Sequence, residues 1–425
     1  MSVEVAPWLR DSRWPTVPIR YVARLGTGHT PSRQHPEYWE NCTIPWVTLA
    51  DVGQLRDGTV DTISSTVEKI SLLGIANSSA VRHPPGTVIL SRTASVGFSA
   101  ILGADMATSQ DFATWTCGAR LDRRYLLHAL RAMAPDLRRL AMGSTHKTIY
   151  MPDIAELRIP LPSLSDQRRI TDFLDNETQR IDRIGSMRSM QIELLKELAT
   201  ALVSDNFAVG PNVPEVRLGY LAKIQTGVTV DGSRARGLSD VTRPYLRVAN
   251  VQAGYLDLNK VSEITVPRDV AARSVMRPGD VLMTEGGDLD KLGRGTVWDG
   301  EIEGCLHQNH VFVVRVDARR LDPRYLALLT RTSIARAHFE RTGTKTTNLA
   351  STSSSKIRDL RIPLPALVQQ RAIVEAATSA LAEVEASMKM MARQRAVLAE
   401  RRQALTAAAV TGRLDVTTGR ETHLA

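Results

Sequence analysis

The sequence predicts an α+β protein in which one unit is written twice: two similar globular domains separated by two long antiparallel coiled-coil helices, with a pseudo-two-fold internal repeat. Three observations predict it. Residue blocks recur in the same order at an offset near 200 positions. Short apolar runs punctuated by Gly and Pro, the mark of strands and turns, fill the first part of each copy. A proline-free stretch with the 3.5-residue apolar period of a coiled-coil seam fills the second part.

The repeat is read directly. Leu157-Arg-Ile-Pro-Leu-Pro162 returns as Leu360-Arg-Ile-Pro-Leu-Pro365, and Leu164, Gln167, Arg168 and Ile170 align with Leu367, Gln370, Arg371 and Ile373 at an offset of 203. Upstream, Pro45-Trp-Val-Thr-Leu-Ala-Asp-Val52 matches Pro244-Tyr-Leu-Arg-Val-Ala-Asn-Val251, and Pro85-Gly-Thr-Val-Ile-Leu90 matches Pro278-Gly-Asp-Val-Leu-Met283. Arg120-Leu-Asp-Arg-Arg-Tyr-Leu126 matches Arg320-Leu-Asp-Pro-Arg-Tyr-Leu326. The offset drifts between 193 and 203, as insertions in loops produce. Two copies are too few for a solenoid, so this is a tandem duplication.

Within each globular part, Thr87–Leu90, Asp280–Met283 and Val311–Val314 read as strands, and Asp122 and Asp322 as N-caps opening helices. In the second helical stretch Ala377, Leu381, Val384, Met388, Met391, Leu398, Leu405 and Ala409 form the seam, interrupted by Arg395 and Arg402. In the first, Ile170, Leu174, Ile181, Ile184, Leu195, Leu198 and Leu202 do so, interrupted by Glu177, Arg188 and Gln191. A helix of roughly 40 residues spans about 60 Å and cannot fold back into a small domain, so the two are expected to pack on each other. The expected boundaries are 1–163 and 206–366 for the globular domains, 164–205 and 367–411 for the helices, and 412–425 for a C-terminal tail.

Composition narrows the function. The chain has 425 residues, 43% of them hydrophobic, and a net charge of +9. The excess sits in the domains: 17 basic against 14 acidic residues in 1–163, and 23 against 17 in 206–366. The helices together are neutral, so anion binding belongs to the domains and the helices read as spacer and protein-contact surface. No run of 18 apolar residues suggests a membrane span, and the start of the chain lacks a signal-peptide core. Cys42, Cys117 and Cys305 are scattered and odd in number, fitting a reducing cytoplasm.

No catalytic or metal site emerges from the residues. His83-Pro-Pro-Gly86 lacks both the amide and the stacking ring of a base-flipping methyltransferase motif. Gly26-Thr-Gly-His-Thr-Pro31 looks like a Gly-rich phosphate loop but has Pro at the last glycine position, and Gly343-Thr-Lys-Thr-Thr347 lacks the spacing of an ATPase loop. Asp153, Glu156 and Arg158 imitate a nuclease cluster, but Asp153 aligns with Lys356 in the second copy. His307 and His310 have no further ligands near in sequence, and strand or turn histidines are the plainer reading.

These blocks resemble the specificity subunit of type I restriction-modification enzymes over essentially the whole chain. The resemblance rests on Ile159–Arg168 and its copy Ile362–Arg371, on Ala408-Ala-Val-Thr-Gly-Arg-Leu-Asp415, and on the polar loops Gly143-Ser-Thr-His-Lys-Thr148 and Gly343-Thr-Lys-Thr-Thr-Asn348. It implies a non-catalytic subunit in which each globular domain is a target-recognition domain reading one half of an asymmetric bipartite site in double-stranded DNA. It implies helices that set the gap between half-sites and dock two modification (methyltransferase) subunits. Cofactors would belong to partners: S-adenosylmethionine to the modification subunits, ATP and Mg to the restriction subunits that translocate and cut. The first loop departs from the family in carrying His146, and the second lacks the Gln often found there. The alternatives are a DNA methyltransferase or nuclease with unrecognised motifs, and a specificity factor or scaffold of a related non-restricting defence complex.

Base reading needs bidentate donors, and anchoring needs Lys, Arg, hydroxyls and main-chain amides on phosphates. Gly-rich polar loops supply these. The candidate contacts in the first domain are Thr27, His29, Thr30, Ser32, Arg33, Arg92, Thr93, Ser95, Thr145 and Lys147. In the second they are Thr226, Ser233, Arg234, Arg236, Lys291, Arg294, Lys345, Thr346 and Thr347. Arg92 and Arg294 are the candidates for guanine, Lys147 and Lys345 for phosphate. Arg158 and Arg361, matched between copies, are expected to serve folding.

Overall fold

A computed structural model describes residues 6–142, 147–207, 213–229, 237, 239–287, 292–345 and 350–421. The chain divides into two compact units, residues 1–189 with 392–425, and residues 190–391. A first long helix runs Leu164–Asn206 and a second runs Leu367–Thr411. Each unit therefore takes one globular domain, the first part of the helix that follows it, and the last part of the other helix.

The first unit is built on strands β1 (Ala23–Thr27), β2 (Ile44–Val47), β3 (Thr62–Ile63), β4 (Glu68–Ile70), β5 (Arg82–His83), β6 (Val88–Ser91), β7 (Ser99–Leu102), β8 (Met106–Thr108) and β9 (Phe112–Cys117). One sheet has the order β1-β9-β6-β7-β3 and the other β4-β2-β8-β5. The central strands β6 and β7 are buried throughout, which is why they read as unbroken apolar runs. Their alternate residues serve different cores. Val88 and Leu90 pack with helix α1 (Arg123–Ala132) and both long helices, while Ile89 joins Val47, Met106 and Phe112 on the opposite face.

The second unit repeats the plan with β10 (Ala222–Gln225), β11 (Asp240–Leu246), β12 (Ser262–Pro267), β13 (Asp280–Thr284), β14 (Gly295–Trp298), β15 (Leu306–His307) and β16 (Val311–Val316). Its sheets are ordered β10-β16-β13-β14 and β12-β11-β15, the first unit's order less β3 and β5. Val281 and Met283 face helix α2 (Pro323–Leu329), and Leu282 faces the second core with Trp298 and Val313.

The repeated blocks close each unit. Val17 pairs with Ile159, and Val216 with Ile362, so the Arg-Ile-Pro segments complete a two-stranded ribbon with the start of each domain. Asp122 caps α1 by accepting from the main-chain N–H groups of Arg124 and Tyr125, as Asp322 does in α2. Gln167, fully buried, accepts from the Asp122 N–H at 2.8 Å and donates to the carbonyls of Arg120 and Pro162, both at 3.0 Å. Gln370 does the same for Asp322, Arg320 and Pro365. Tyr125 and Tyr325 donate their hydroxyls to Pro160 and Pro363. Arg158 donates to the Thr16 carbonyl at 2.7 Å, and so braces the ribbon.

In the seam, Ile170, Leu174, Ile181, Ala377, Leu381, Val384 and Ala409 are buried. Leu198 departs from expectation and is 46% exposed, because beyond Asp182 the first helix buries nothing until Val203. Arg402, read as an interruption, is an organising residue of the first unit. It faces Asp182 at 3.2 Å across the helix pair and donates to the Gly58 carbonyl at 2.6 Å. With Ile170 and Leu174 sharing a core with Ala409 and Val410, this contact makes the two helix segments of that unit antiparallel. Beside it, Arg131 binds Asp61 at 2.5 Å and the Val60 carbonyl at 3.0 Å, and Gln403 donates to the Ala132 carbonyl at 2.9 Å. Buried His128 lies 2.7 Å from Asp175, and burial pushes its imidazole down to about 3, so it is neutral and donates. In the second unit the equivalent space is a cavity of about 590 Å3 lined by Ala199, Thr200, Val203, Arg331, Phe339 and Glu385 among others.

Candidate nucleic-acid interface

Four loops converge at one edge of each unit, and the strand ends position them. In the first unit Thr27 ends β1 by donating its hydroxyl to the Phe112 carbonyl at 2.8 Å. Gly28 then passes so close to β8 that a Cβ would stand 1.8 Å from the Thr108 carbonyl oxygen, which only glycine tolerates. The His29 N–H bonds that same oxygen at 3.0 Å, leaving the His29 side chain exposed. The second unit uses the same anchor. A Cβ on Gly227 would lie 2.0 Å from the His307 carbonyl oxygen, and the Val228 N–H donates to it at 2.8 Å.

The loop after β6 is held from both sides. The Arg92 N–H donates to the Asp111 carbonyl, its carbonyl accepts from Ile149, and Ala94, at φ 57°, donates to the Lys147 carbonyl at 2.8 Å. A left-handed alanine is costly, of order 1 kcal/mol or more, and persists only where the surroundings dictate it. Thr93 bridges Thr148, so the polar loop after 142 is joined to the same cluster. In the second unit the Glu285 N–H donates to the His310 carbonyl at 3.0 Å and the Glu285 carbonyl accepts from Thr352 at 2.8 Å. Gly286–Gly287 pair with Ala350–Ser351, which pair with Thr344–Lys345.

The individual side chains differ in availability. Thr30 donates to the Gln110 amide oxygen at 2.6 Å. Ser32 accepts from the Gln34 N–H. Arg33 stacks 4.6 Å from the Trp39 ring centre and lies 3.6 Å from Glu68. The Arg92 guanidinium turns inward, one nitrogen donating to the Ile149 carbonyl at 3.3 Å. Ser95 donates its N–H to the Thr93 carbonyl, Lys147 is exposed, and Thr226 is exposed just ahead of the Gly227 anchor. Arg294 is half-buried, its carbonyl accepting from Thr284. Lys345 pairs through its main chain with Ala350. Thr145, Ser233, Arg234, Arg236, Lys291, Thr346 and Thr347 lie outside the described residues. Among the described residues, Ser91 Oγ, Arg92 Nε, Thr108 Oγ1 and Thr352 Oγ1 are buried without a hydrogen-bond partner, as are several side chains elsewhere in the fold.

Sequence reasoning missed the fourth loop, the turns Ser109–Asp111 and Gln308–His310. Each is a polar tripeptide between two matched strands, and that position was the available signal. The histidines once weighed as metal ligands divide differently. His307 is buried and donates Nδ1–H to the Val311 carbonyl, with burial lowering its pKa, while His310 pairs with Glu285. Glu156 of the nuclease-like trio is engaged by Arg20. Among the described residues no group of three or more His, Cys, Asp or Glu is placed to hold a metal ion, and no helix is long and apolar enough to cross a membrane.

Comparison with known proteins places these features. Residues 11–194 match the family model described as the type I restriction modification DNA specificity domain. The chain is 24% identical over 262 residues to the type I restriction enzyme MjaIX specificity subunit of Methanocaldococcus jannaschii, covering 57% of this chain and 59% of that protein. It is 25% identical over 198 residues to the EcoR124I/EcoR124II specificity subunit of Escherichia coli, covering 44% and 48%. The alignments thus span about half the length of these curated relatives. A chain from a solved type I R-M system, studied for its complex assembly and conformational transition, superposes with a TM-score of 0.69 at 19% identity, over 93% of this chain and 97% of the other. At that identity the likeness speaks for the fold.

Proposed function

We propose that the chain is a type I restriction-modification specificity subunit that recognises DNA sequence, each unit reading one half of an asymmetric two-part site. The observation that carries this reading is the loop edge. The same strand order and the same glycine anchors present loops at equivalent places in both units, while the loop residues differ, as in Arg92-Thr-Ala-Ser95 against Glu285-Gly-Gly-Asp288. A constant scaffold with variable tips is what two readings by one fold require. The basic excess of residues 1–163 and 206–366 supports a polyanionic ligand.

On this reading the long helices fix the unread gap and dock two modification subunits, and the chain itself performs no chemistry. S-adenosylmethionine is held by those subunits, ATP and Mg by restriction subunits, and the assembly works in the cytoplasm. The test is duplex binding by the chain assembled with its modification subunits, titrated with salt. Affinity should fall steeply with salt, and Lys147→Ala should flatten the log–log slope by about 1 if it holds a phosphate. Salt-independent binding that ignores sequence would favour the scaffold instead. Calorimetric binding of S-adenosylmethionine to the chain alone would favour an enzyme.

A further inference from the structure

The turns that precede β9 and β16 carry more than the proposed function assigns. We propose that Gln110 in the first unit and Asn309 in the second form an adenine-reading site in each half of the interface, an inference that rests on the DNA-reading role above.

Their placement is equivalent to the residue. One position earlier, the Ser109 N–H donates to the Val47 carbonyl at 2.9 Å and the Gln308 N–H to the Leu246 carbonyl at 2.8 Å. One position later, the Asp111 carbonyl accepts from the Arg92 N–H at 2.8 Å and the His310 carbonyl from the Glu285 N–H at 3.0 Å. The amide residue is thus held between two main-chain anchors, one to a strand and one to the neighbouring loop. A short side chain leaving so fixed a backbone point is preorganised for a ligand.

The neighbours in each turn are already engaged. Asp111 accepts from the Ser109 hydroxyl, and His310 pairs with Glu285. Among the described residues, the Gln110 amide nitrogen and the whole Asn309 amide make no hydrogen bond, and Gln110 is exposed. The Thr30 hydroxyl donates to Gln110 Oε1 and so fixes which end of the amide is the acceptor, leaving the second lone pair of Oε1 and both Nε2 hydrogens available. A carboxamide offers an acceptor and a donor side by side. The major-groove edge of adenine offers the complementary pair, the N6 amino donor and the N7 acceptor, and Asn or Gln meets it with two hydrogen bonds. The flanking residues change type between the copies, Ser to Gln and Asp to His, while the central residue stays a carboxamide. A merely solvated turn has no reason to keep it.

The experiment maps methylated sites in cells making the full chain with its modification subunits, for wild type, Gln110→Ala and Asn309→Ala. Each variant is expected to lose about 10- to 100-fold discrimination at one A·T pair, in one half-site only, and in opposite halves for the two variants. Thr30→Val should relax the same position as Gln110→Ala, more weakly. Both residues lie in turns outside the cores, and heat unfolding of each variant is read alongside. An unchanged motif at full methylation overturns the proposal, as does relaxation at a G·C pair. A uniform loss of methylation on all sites also overturns it, by assigning the turn to backbone contact or folding. If wild type itself yields no two-part motif, the DNA-reading role fails, a distinct outcome.

Discussion

The two units share strand order, anchors and clamps, yet they differ where each domain meets the long helices. The first unit closes that junction with charge. Arg402 spans to Asp182 and Gly58, Arg131 to Asp61, and His128 to Asp175. Burial works against the central pair, raising the Asp182 carboxyl and lowering the Arg402 guanidinium, so the pair is held by its geometry and by the extra bond to the Gly58 carbonyl. In the second unit the repeat places Ala199 at the Arg402 position and Leu328 at the His128 position. Arg331 then lies beside a cavity with Glu385 as its counter-charge, desolvated enough to lower its pKa. Duplication has kept the Asp, Gln and Tyr clamps of each domain and changed the charged contacts at the helix junction.

That contrast can be broken at several points. The largest effect is expected where the units agree. Gln167→Ala or Gln370→Ala removes three main-chain hydrogen bonds, the one to Pro162 or Pro365 buried and the other two half-buried, and should cost about 3 kcal/mol in its own unit. Hydrogen exchange resolved by segment would locate the loss, and equal exchange in variant and wild type would refute the clamp. Next comes Arg402→Ala, which leaves Asp182 and Gly58 without their partner; since Arg402 is 20% exposed, about 2 kcal/mol is expected in the first unit. Arg331→Ala in the second unit should cost under about 1 kcal/mol, because no hydrogen bond from its side chain is lost among the described residues. Similar costs for the two would erase the distinction.

A pH-dependent effect is expected in the first unit. His128 has its pKa depressed in the fold, so the folded first unit keeps it neutral while an unfolded chain protonates it near its ordinary value. Its contribution is complete above about pH 6.5 and is lost as pH falls toward 3, by up to about 1.4 kcal/mol for each step of one in pH. Acid should therefore destabilise the first unit through His128, and His128→Leu, copying Leu328, should lessen that unit's acid sensitivity. An unaltered acid profile in the variant would place the sensitivity elsewhere. The smallest change is expected for Arg33→Ala, whose ring stacking and long ion pair are on the surface: stability by thermal melting should not measurably move.

The sequence made the scaffold legible because the scaffold is what the copies share. Gln167 and Gln370, Tyr125 and Tyr325, and Asp122 and Asp322 aligned by identity, and each pair turns out to perform one main-chain task twice. The sheet order was beyond reach, since β2 and β8 pair in parallel across a long insertion that no local pattern announces. The seam was read only in part. A 3.5-residue period marks positions able to bury, but Leu198 stands exposed and Arg402, marked as an interruption, organises the junction. At the candidate interface the Gly-containing loops could be singled out from sequence. The turns holding Gln110 and Asn309 were not, since a polar tripeptide gains meaning only when its flanking anchors are seen.

The most direct test of the central claim is a methyl-adenine map of cells carrying the modification subunits with this chain, without it, and with residues 206–366 replaced by those of a relative. The account predicts methylation at one asymmetric two-part motif only when the chain is present, and a replacement that alters one half alone. Methylation that is the same with and without the chain, although the complex assembles, would contradict it.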